Sequence, residues 1–508
     1  MITIEPDNVW TLCRYDNAGA SPLKNILDRG LKVEVPGAEY LYSFKSGAWD
    51  GKARLWEDYI DPTTKQHAGV QIRSGLVPRL ISLLNLGGVT WQVGLDSRAL
   101  TRSASLTTTQ VKLRDYQFEA VKAAFGNQNE FGWWPRGVLA LATGAGKTEI
   151  AVAMYEMNRV PTVFLVHRKD LLIQAKERFE QYGHTVGVIG DGKFEPHKGI
   201  TVATMQTFHR ILQAHGDGAL EASAADLDRL NKLSSYMSST KQTFFDECHL
   251  MASNMDRGNQ FVKVSDFIDV PYRWGLTATP FMRTQYDNML LEAVTGQALY
   301  RISSKELIDL GYLTPPRVVM KRVKGTIAVT LDWKGSRSSK SRAEYWRKVE
   351  EKGIKFNEIR TNMIVDEVAK GPYPMLILVK TIEQAHFIKD AHKRIVGHDI
   401  LFLSGRDSAK DRRAAIGQLR DGSVQAVIAT TIFDEGVDVP ELRKVILASG
   451  GKSQVKTIQR VGRALRKAGG KSVAEIVDFY DAHHTMLEKH SKAREAVYRE
   501  QEFEVIHG

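Results

Sequence analysis

Apolar and polar positions along the chain change rhythm three times. Residues 31–35 alternate apolar and polar, as a half-buried strand does. Residues 40–56 predict two strand-like pieces around the turn signals Ser46-Gly47 and Asp50-Gly51, and residues 76–86 carry apolar side chains at helical spacing. Residues 101–110 are small and polar with neither period, which predicts a linker. The first unit is therefore expected to span 1–105 as a small α+β domain.

From 106 to 314, short apolar runs alternate with helical patterns. Helices are predicted over 113–121, 148–155 and 170–182 and from Gln206 onward. Strands are predicted over 137–142, 161–166 and 199–203, with two more ending at Asp246 and Thr277. Such alternation predicts a parallel α/β sheet. Residues 215–240 read as a surface helix and loop. A connecting segment, 315–355, breaks the pattern with Pro315-Pro316, a strand-like stretch and the basic, Ser/Gly-containing run 333–342. That run fits a solvated loop and a nucleic-acid contact equally well. Residues 356–481 resume the alternation, with strands over 375–379, 400–403, 424–429 and 444–448, and 482–508 reads as a charged, helical tail. The fold class is α/β: two parallel-sheet domains behind a small α+β domain.

The 508 residues, 43% of them hydrophobic, suffice for several cores. A net charge of +11 favours a polyanionic partner such as nucleic acid. Cys13 and Cys248 are the sole cysteines, which excludes a disulfide framework and points to a reducing compartment. The first residues lack the basic-then-apolar order of a signal peptide, and no apolar run approaches the ~20 residues of a membrane helix. A soluble, cytoplasmic protein without a membrane partner is expected. In the first unit, aromatic residues interleave with Lys45, Lys52 and Arg54. Composition favours these rings as the core of a small sheet over a nucleic-acid surface.

Candidate chemistry changes the picture most at Thr143-Gly144-Ala145-Gly146-Lys147-Thr148, a glycine-containing turn between a predicted strand and helix. Glycines there let backbone N–H groups close around phosphates. Lys147 can reach the β/γ oxygens and the Thr148 hydroxyl can ligate Mg²⁺. The usual first glycine of such a loop is replaced by Leu141. Asp246 and Glu247 end a later strand: the first can hold Mg²⁺ through a water, and the second can orient or deprotonate the attacking water. A positive charge for the transferring phosphoryl group is supplied downstream, where Arg463 and Arg466 are i,i+3 neighbours in Gln459-Arg-Val-Gly-Arg-Ala-Leu-Arg.

With these residues in place, the chain resembles the superfamily 2 helicases and translocases. Residues 142–148 are similar to motif I, 166–174 to Ia and 202–207 to Ib. Residues 246–249 resemble the DExH form of motif II and 277–280 resemble motif III. Motif IV is diffuse around 376–381 and is followed by its companion segment at 403–406, while 427–440 and 459–466 are similar to motifs V and VI. The resemblance implies two RecA-like domains with ATP and Mg²⁺ between them and nucleic acid across their tops. It assigns Gln117 to adenine, Gly436 and Asp438 to the nucleotide, and His249, Thr277, Ala278, Thr279 and Gln459 to coupling. Nucleic-acid contacts carry over to Arg168, Thr204, Gln206, Thr207, Ser404, Gly405, Arg406 and Thr430. The aromatic and proline context of the DEAD-box Q motif is missing around Gln117.

A narrower resemblance covers Gly47-Ala-Trp-Asp-Gly-Lys52-Ala-Arg54-Leu and Gly75-Leu-Val, similar to the N-terminal domain of bacteriophage UvsW-type helicases. Those are DNA helicases that rewind and branch-migrate recombination intermediates and stalled forks and unwind R-loops. The resemblance implies branched or forked DNA, and RNA–DNA hybrids, as partners, with Lys52 and Arg54 as contacts. It also implies a bacterial host cytoplasm as the setting. An RNA helicase, a restriction-type duplex translocase and a non-catalytic clamp or annealing factor are the competing readings.

Overall fold

The computed structural model describes residues 1–15, 20–94, 107–129, 132–214, 223–252, 260–279, 284–329, 339–430, 439–453, 460–462 and 464–508. It divides into two compact units, Met1–Leu141 with Gly146–Ile302 and Ser303–Gly508 with Ala142–Ala145.

The first unit is built on an eight-stranded sheet. Its strands run in the order Lys193–Glu195, Val186–Gly190, Ile200–Thr204, Thr162–Val166, Gln242–Asp246, Tyr272–Thr277, Arg136–Leu141 and Ala298–Ile302. All neighbours are parallel except the edge pair Val186–Gly190 with Lys193–Glu195. The central strands are continuous buried runs, as strands covered on both faces must be. In register, Ala140 pairs with Thr277 and Asp246 with Leu276. The phosphate-loop candidate, the carboxylates and the Thr277 segment therefore emerge from the same edge of adjacent strands. Ligands in open parallel sheets bind at that edge.

The N-terminal residues fold on a second sheet, in the order Trp56–Ile60, His67–Arg73, Trp10–Tyr15, Ile2–Glu5 and Trp91–Val93. Helices Ala20–Leu31 and Val77–Leu86 accompany it. The predicted helix at 76–86 is present. The 40–56 stretch departs from its two predicted strands: it forms a 3₁₀ turn, Ala38–Tyr40, one helical turn, Tyr42–Lys45, and the short strand Lys52–Arg54 paired with Lys32–Glu34.

This domain is not the separable module that the linker predicted. Its core cluster, with Leu23, Leu27, Val70, Ile72 and Leu80, continues into Trp134, Met289 and Ala293 of the large-sheet domain. Arg73 donates twice to Asp266, and Arg79 pairs with Glu292 at 2.6 Å. A Cβ on Gly75 would fall 2.0 Å from the Glu292 carbonyl oxygen, so only glycine permits that approach. Of the predicted linker, Thr107 and Thr109 are hydrogen-bonded to the carbonyl and carboxylate of Glu156, and 101–106 lie outside the described residues.

The second unit is a seven-stranded, all-parallel sheet in the order Leu401–Leu403, Ala426–Thr430, Met375–Val379, Lys444–Leu447, Ala474–Tyr480, Pro316–Arg322 and Glu504–His507. Two predicted boundaries shift here. The strand at the start of the connecting segment is interior to this sheet, and the tail supplies its edge strand. The tail helix Thr485–Glu500 is anchored through Arg494, which is buried and 2.8 Å from buried Asp478, while Arg360 pairs with Asp481 at 3.0 Å. Removing one partner of such a pair costs about 3–5 kcal/mol. Charge in the tail sequence was thus partly interior wiring. Of the basic run 333–342, residues 333–338 lie outside the described residues, and Ser339 begins the helix Ser339–Glu350.

Candidate active site

The turn after Arg136–Leu141 is shaped by two glycines in the left-handed region, Gly144 at φ 87° and Gly146 at φ 78°. Gly146 starts the helix Lys147–Asn158 with no side-chain cap, so the first-turn N–H groups remain available to an anion. Gln117 is buried against this turn. Its Oε1 accepts from the Arg114 N–H at 2.9 Å, and its Nε2 lies 2.5 Å from where a Gly146 Cβ would stand.

Facing the turn within the same unit, Lys147 Nζ is 3.3 Å from Glu247 Oε1. Glu247 itself has φ 48°, an uncommon left-handed backbone for a non-glycine residue that costs about 1–2 kcal/mol. His249 is buried, with Nδ1 2.9 Å from Thr277 Oγ1 and 3.3 Å from Glu247 Oε2. Thr277 Oγ1 also accepts from the Thr279 N–H at 3.1 Å, with half-buried Ala278 between them. One chain of contacts thus runs Lys147–Glu247–His249–Thr277–Thr279.

The two adjacent carboxyls are driven apart electrostatically. Burial and the neighbouring Glu247 charge push the Asp246 carboxyl above its usual range, against the opposing pull of Lys147. Burial would also raise Glu247, but the Lys147 cation and then His249 outweigh it and hold this carboxylate well below its usual range. Asp246 is therefore short of positive charge, which a divalent cation would supply. Thr143 Oγ1 is buried without a hydrogen-bond partner among the described residues. No group of three His, Cys, Asp or Glu side chains among the described residues forms a metal site of its own. A cation held by Thr148 and Asp246 would thus depend on substrate oxygens, as Mg²⁺ commonly does.

Around this centre, Thr204 Oγ1 is 2.8 Å from Thr207 Oγ1 and Gln206 Nε2 donates to the His167 carbonyl, next to Arg168. In the second unit, Ser404 and Thr430 sit at the ends of neighbouring strands. Ser404 donates to Asp407 through both N–H and Oγ, and Gly405 and Arg406 are exposed beside it. Gly436, Asp438, Gln459 and Arg463 lie outside the described residues. Arg466 is described, its carbonyl accepting from Lys471 Nζ at 2.8 Å.

Sequence reasoning missed Asp407, which fixes Ser404, and Lys471, which donates to the carbonyls of Pro440, Ala464 and Arg466 at 2.9, 2.5 and 2.8 Å. A lysine in an Ala/Gly-rich turn carries no motif, so nothing in the sequence singled it out. In the N-terminal domain, Trp56 is core as composition suggested, whereas Tyr40, Tyr42 and Phe44 are exposed. Lys52 is exposed. Arg54 is paired with Asp28 at 3.2 Å and lies over the Trp56 ring, so its charge is partly committed within the protein. Cys13 and Cys248 are both buried and free, and among the described residues no helix is long and apolar enough to cross a membrane.

Two parallel-sheet domains, one carrying a Gly-Lys-Thr turn opposite an Asp-Glu pair, define a superfamily 2 helicase, and the chain belongs to that class. Residues 110–282 match the family model of the type III restriction enzyme res subunit, and 355–468 match the helicase conserved C-terminal domain. The chain is similar to the DNA 3'-5' translocase XPB2 of Sulfurisphaera tokodaii, 29% identical over 387 residues, covering 71% of this chain and 80% of that protein. Among solved structures, the DNA-bound type ISP restriction-modification enzyme LlaBIII shares its fold at TM-score 0.54 and 17% identity, over 78% of this chain and 31% of that one. The crystal structure of T4 UvsW covers 100% of this chain and 98% of its own, at 18% identity and TM-score 0.41. The chain is an ATP-dependent DNA helicase or translocase.

Proposed function

We propose that this enzyme couples ATP hydrolysis to movement on branched DNA, regressing forks, migrating branches and unwinding RNA–DNA hybrids. The observation that carries the motor reading is the Lys147–Glu247 contact inside a chain of bonds that continues to Thr277. Lys147 and the N–H groups of its turn take the β/γ-phosphates, and Gln117 borders the adenine. Thr148 and Asp246 would hold Mg²⁺, which would screen the phosphate charge. A phosphate that draws Lys147 away leaves Glu247 to orient water for attack on the γ-phosphorus; the bond from that phosphorus to the β–γ bridging oxygen breaks, ADP leaves with that oxygen, and the water proton passes to Glu247. The resemblance of their motifs assigns Gly436 and Asp438 to the nucleotide and Arg463 and Arg466 to the remaining positive charge.

His249 ties Glu247 to the Thr277–Thr279 segment, so a change at the γ-phosphate alters bonds that lead away from the nucleotide. Gln459 belongs to the same coupling set. Arg168, Thr204, Gln206, Thr207, Ser404, Gly405, Arg406 and Thr430 lie at or just beyond strand ends of their own sheets. They offer hydroxyl, amide and cationic groups suited to phosphates rather than base edges. Contacts of that kind suit sequence-independent movement.

The preference for branches is assigned to the N-terminal domain, which the shared core fastens to the first motor sheet. A duplex translocase that never separates strands is the second reading, favoured by the restriction-type family match over 110–282. ATPase stimulation and unwinding measured on single strands, linear duplex, forks, four-way junctions and RNA–DNA hybrids test the assignment. Branched substrates should stimulate most and be remodelled. Equal stimulation by linear duplex, with no strand displaced, would favour the second reading.

A further inference from the structure

The N-terminal domain carries an aromatic surface that neither the motor nor the core uses. The loop joining strands Lys32–Glu34 and Lys52–Arg54 is closed by the Val35 N–H donating to the Gly51 carbonyl at 2.9 Å. Inside it, the Trp49 N–H donates to Ser43 O at 3.0 Å and Trp49 Nε1 to Lys52 O at 2.8 Å. A Cβ on Gly51, at φ 76°, would come within 2.9 Å of the Phe44 ring, so that ring packs where a side chain would otherwise stand. The loop is therefore braced from within.

Its apolar tips nonetheless face water: Tyr40 is 66% exposed, Leu41 46%, Tyr42 85% and Phe44 40%. Of the five exposed aromatic rings among the described residues, three fall in these five positions, the others being Phe118 and Phe356. Chance scatter of surface apolar groups does not produce such a cluster. Exposed Lys45 and Lys52 flank it, with Glu39 as the opposing charge, while Asp50 is neutralised by Lys32 at 2.7 Å.

Pre-ordered rings beside lysines match the π-faces and phosphates of unstacked nucleotides, whereas duplex bases already stack on one another. We propose that Tyr40, Tyr42 and Phe44 form a stacking surface for nucleobases left unpaired at a DNA branch, with Lys45 and Lys52 meeting the flanking phosphates. This deepens the branched-DNA reading and rests on it.

The test uses the full chain carrying Tyr40→Ala with Tyr42→Ala, and separately Tyr40→Phe with Tyr42→Phe. Both tyrosines are exposed, so neither variant removes core. A forked DNA bears 2-aminopurine at the branch point. Wild type and the phenylalanine variant should quench its fluorescence, since the ring faces remain. The alanine variant should lose the quench and bind the fork roughly tenfold or more weakly, with linear-duplex affinity unchanged. Undiminished quench and fork affinity in the alanine variant would overturn the inference alone, and the same result with altered self-association would hand the surface to protein contact. A wild type without any fork preference would instead overturn the branched-DNA reading, and the inference with it.

Discussion

Lys147 Nζ stands 3.3 Å from Glu247 Oε1, so the cation at the head of the phosphate turn and the acid just past the strand two places away in the sheet neutralise each other across the site. Neither can serve a nucleotide fully while the pair is closed. Lys147→Ala should therefore do two things. It should lower ATP turnover by about 10³-fold or more, because a charge aimed at the transferring phosphoryl group is lost. It should also leave half-buried Glu247 without its main counter-charge. Steady-state ATPase with saturating DNA checks the first; retention of more than a tenth of wild-type turnover would contradict the role.

His249 joins Glu247 to Thr277 and is buried where a lone polar side chain would be costly. His249→Ala should keep a basal ATPase within about tenfold of wild type but lose most of its stimulation by DNA. Thr277→Val, which removes only the hydroxyl, should show the same pattern. Measuring ATPase with and without DNA in each variant decides the point, and normal stimulation in both would assign His249 to packing alone.

Lys471 places a buried ammonium among three carbonyls at the end of the Arg466 segment. Burial and then the Arg443 charge lower it from 10.5 to about 8. A lysine depressed in the fold is less protonated there than in the unfolded chain. Its contribution to stability is therefore complete above pH 10.5 and is lost as pH falls through about 8. Urea unfolding of wild type against Lys471→Met should show the difference moving in favour of wild type as pH rises between those values. A pH-independent difference would contradict the depressed lysine.

The N-terminal domain shares its core with Trp134, Met289 and Ala293. A chain beginning near Ser105 should therefore aggregate or unfold at a lower temperature than the intact protein rather than yield a stable motor. Gly75→Ala places a methyl 2.0 Å from a carbonyl oxygen and should destabilise the intact protein by about 1–3 kcal/mol. Thermal unfolding of both proteins checks this, and a truncated chain as stable as the full one would restore the linker reading of 101–110.

Both parallel sheets were legible because buried strands write continuous apolar runs and their helices write a 3.6-residue period, as at Arg136–Leu141 and Lys147–Asn158. The site was legible where chemistry is local: Lys147, Asp246, Glu247 and His249 stand in short motifs, and the sheet register brings them together. What was not legible depends on long-range packing. Nothing in the composition of 40–56 tells that Trp56 is buried while Tyr40 and Tyr42 are not. Likewise, Arg494 looks like one more charge in a polar tail until Asp478 is found beside it. The polar stretch at 107–110 read as a linker because its threonines pair with Glu156, nearly fifty residues away.

Of all the proposed roles, that of Glu247 as the group that activates water bears most directly on hydrolysis. Its test is the DNA-stimulated ATPase of Glu247→Gln beside wild type, with nucleotide affinity measured on the same preparations. The glutamine keeps the size and the left-handed backbone position but gives up the charge. The account requires nucleotide binding within about tenfold of wild type and turnover reduced by about 10³-fold or more, as expected when water loses its orienting base. Multiple-turnover hydrolysis at near wild-type rate by a folded Glu247→Gln protein would contradict it.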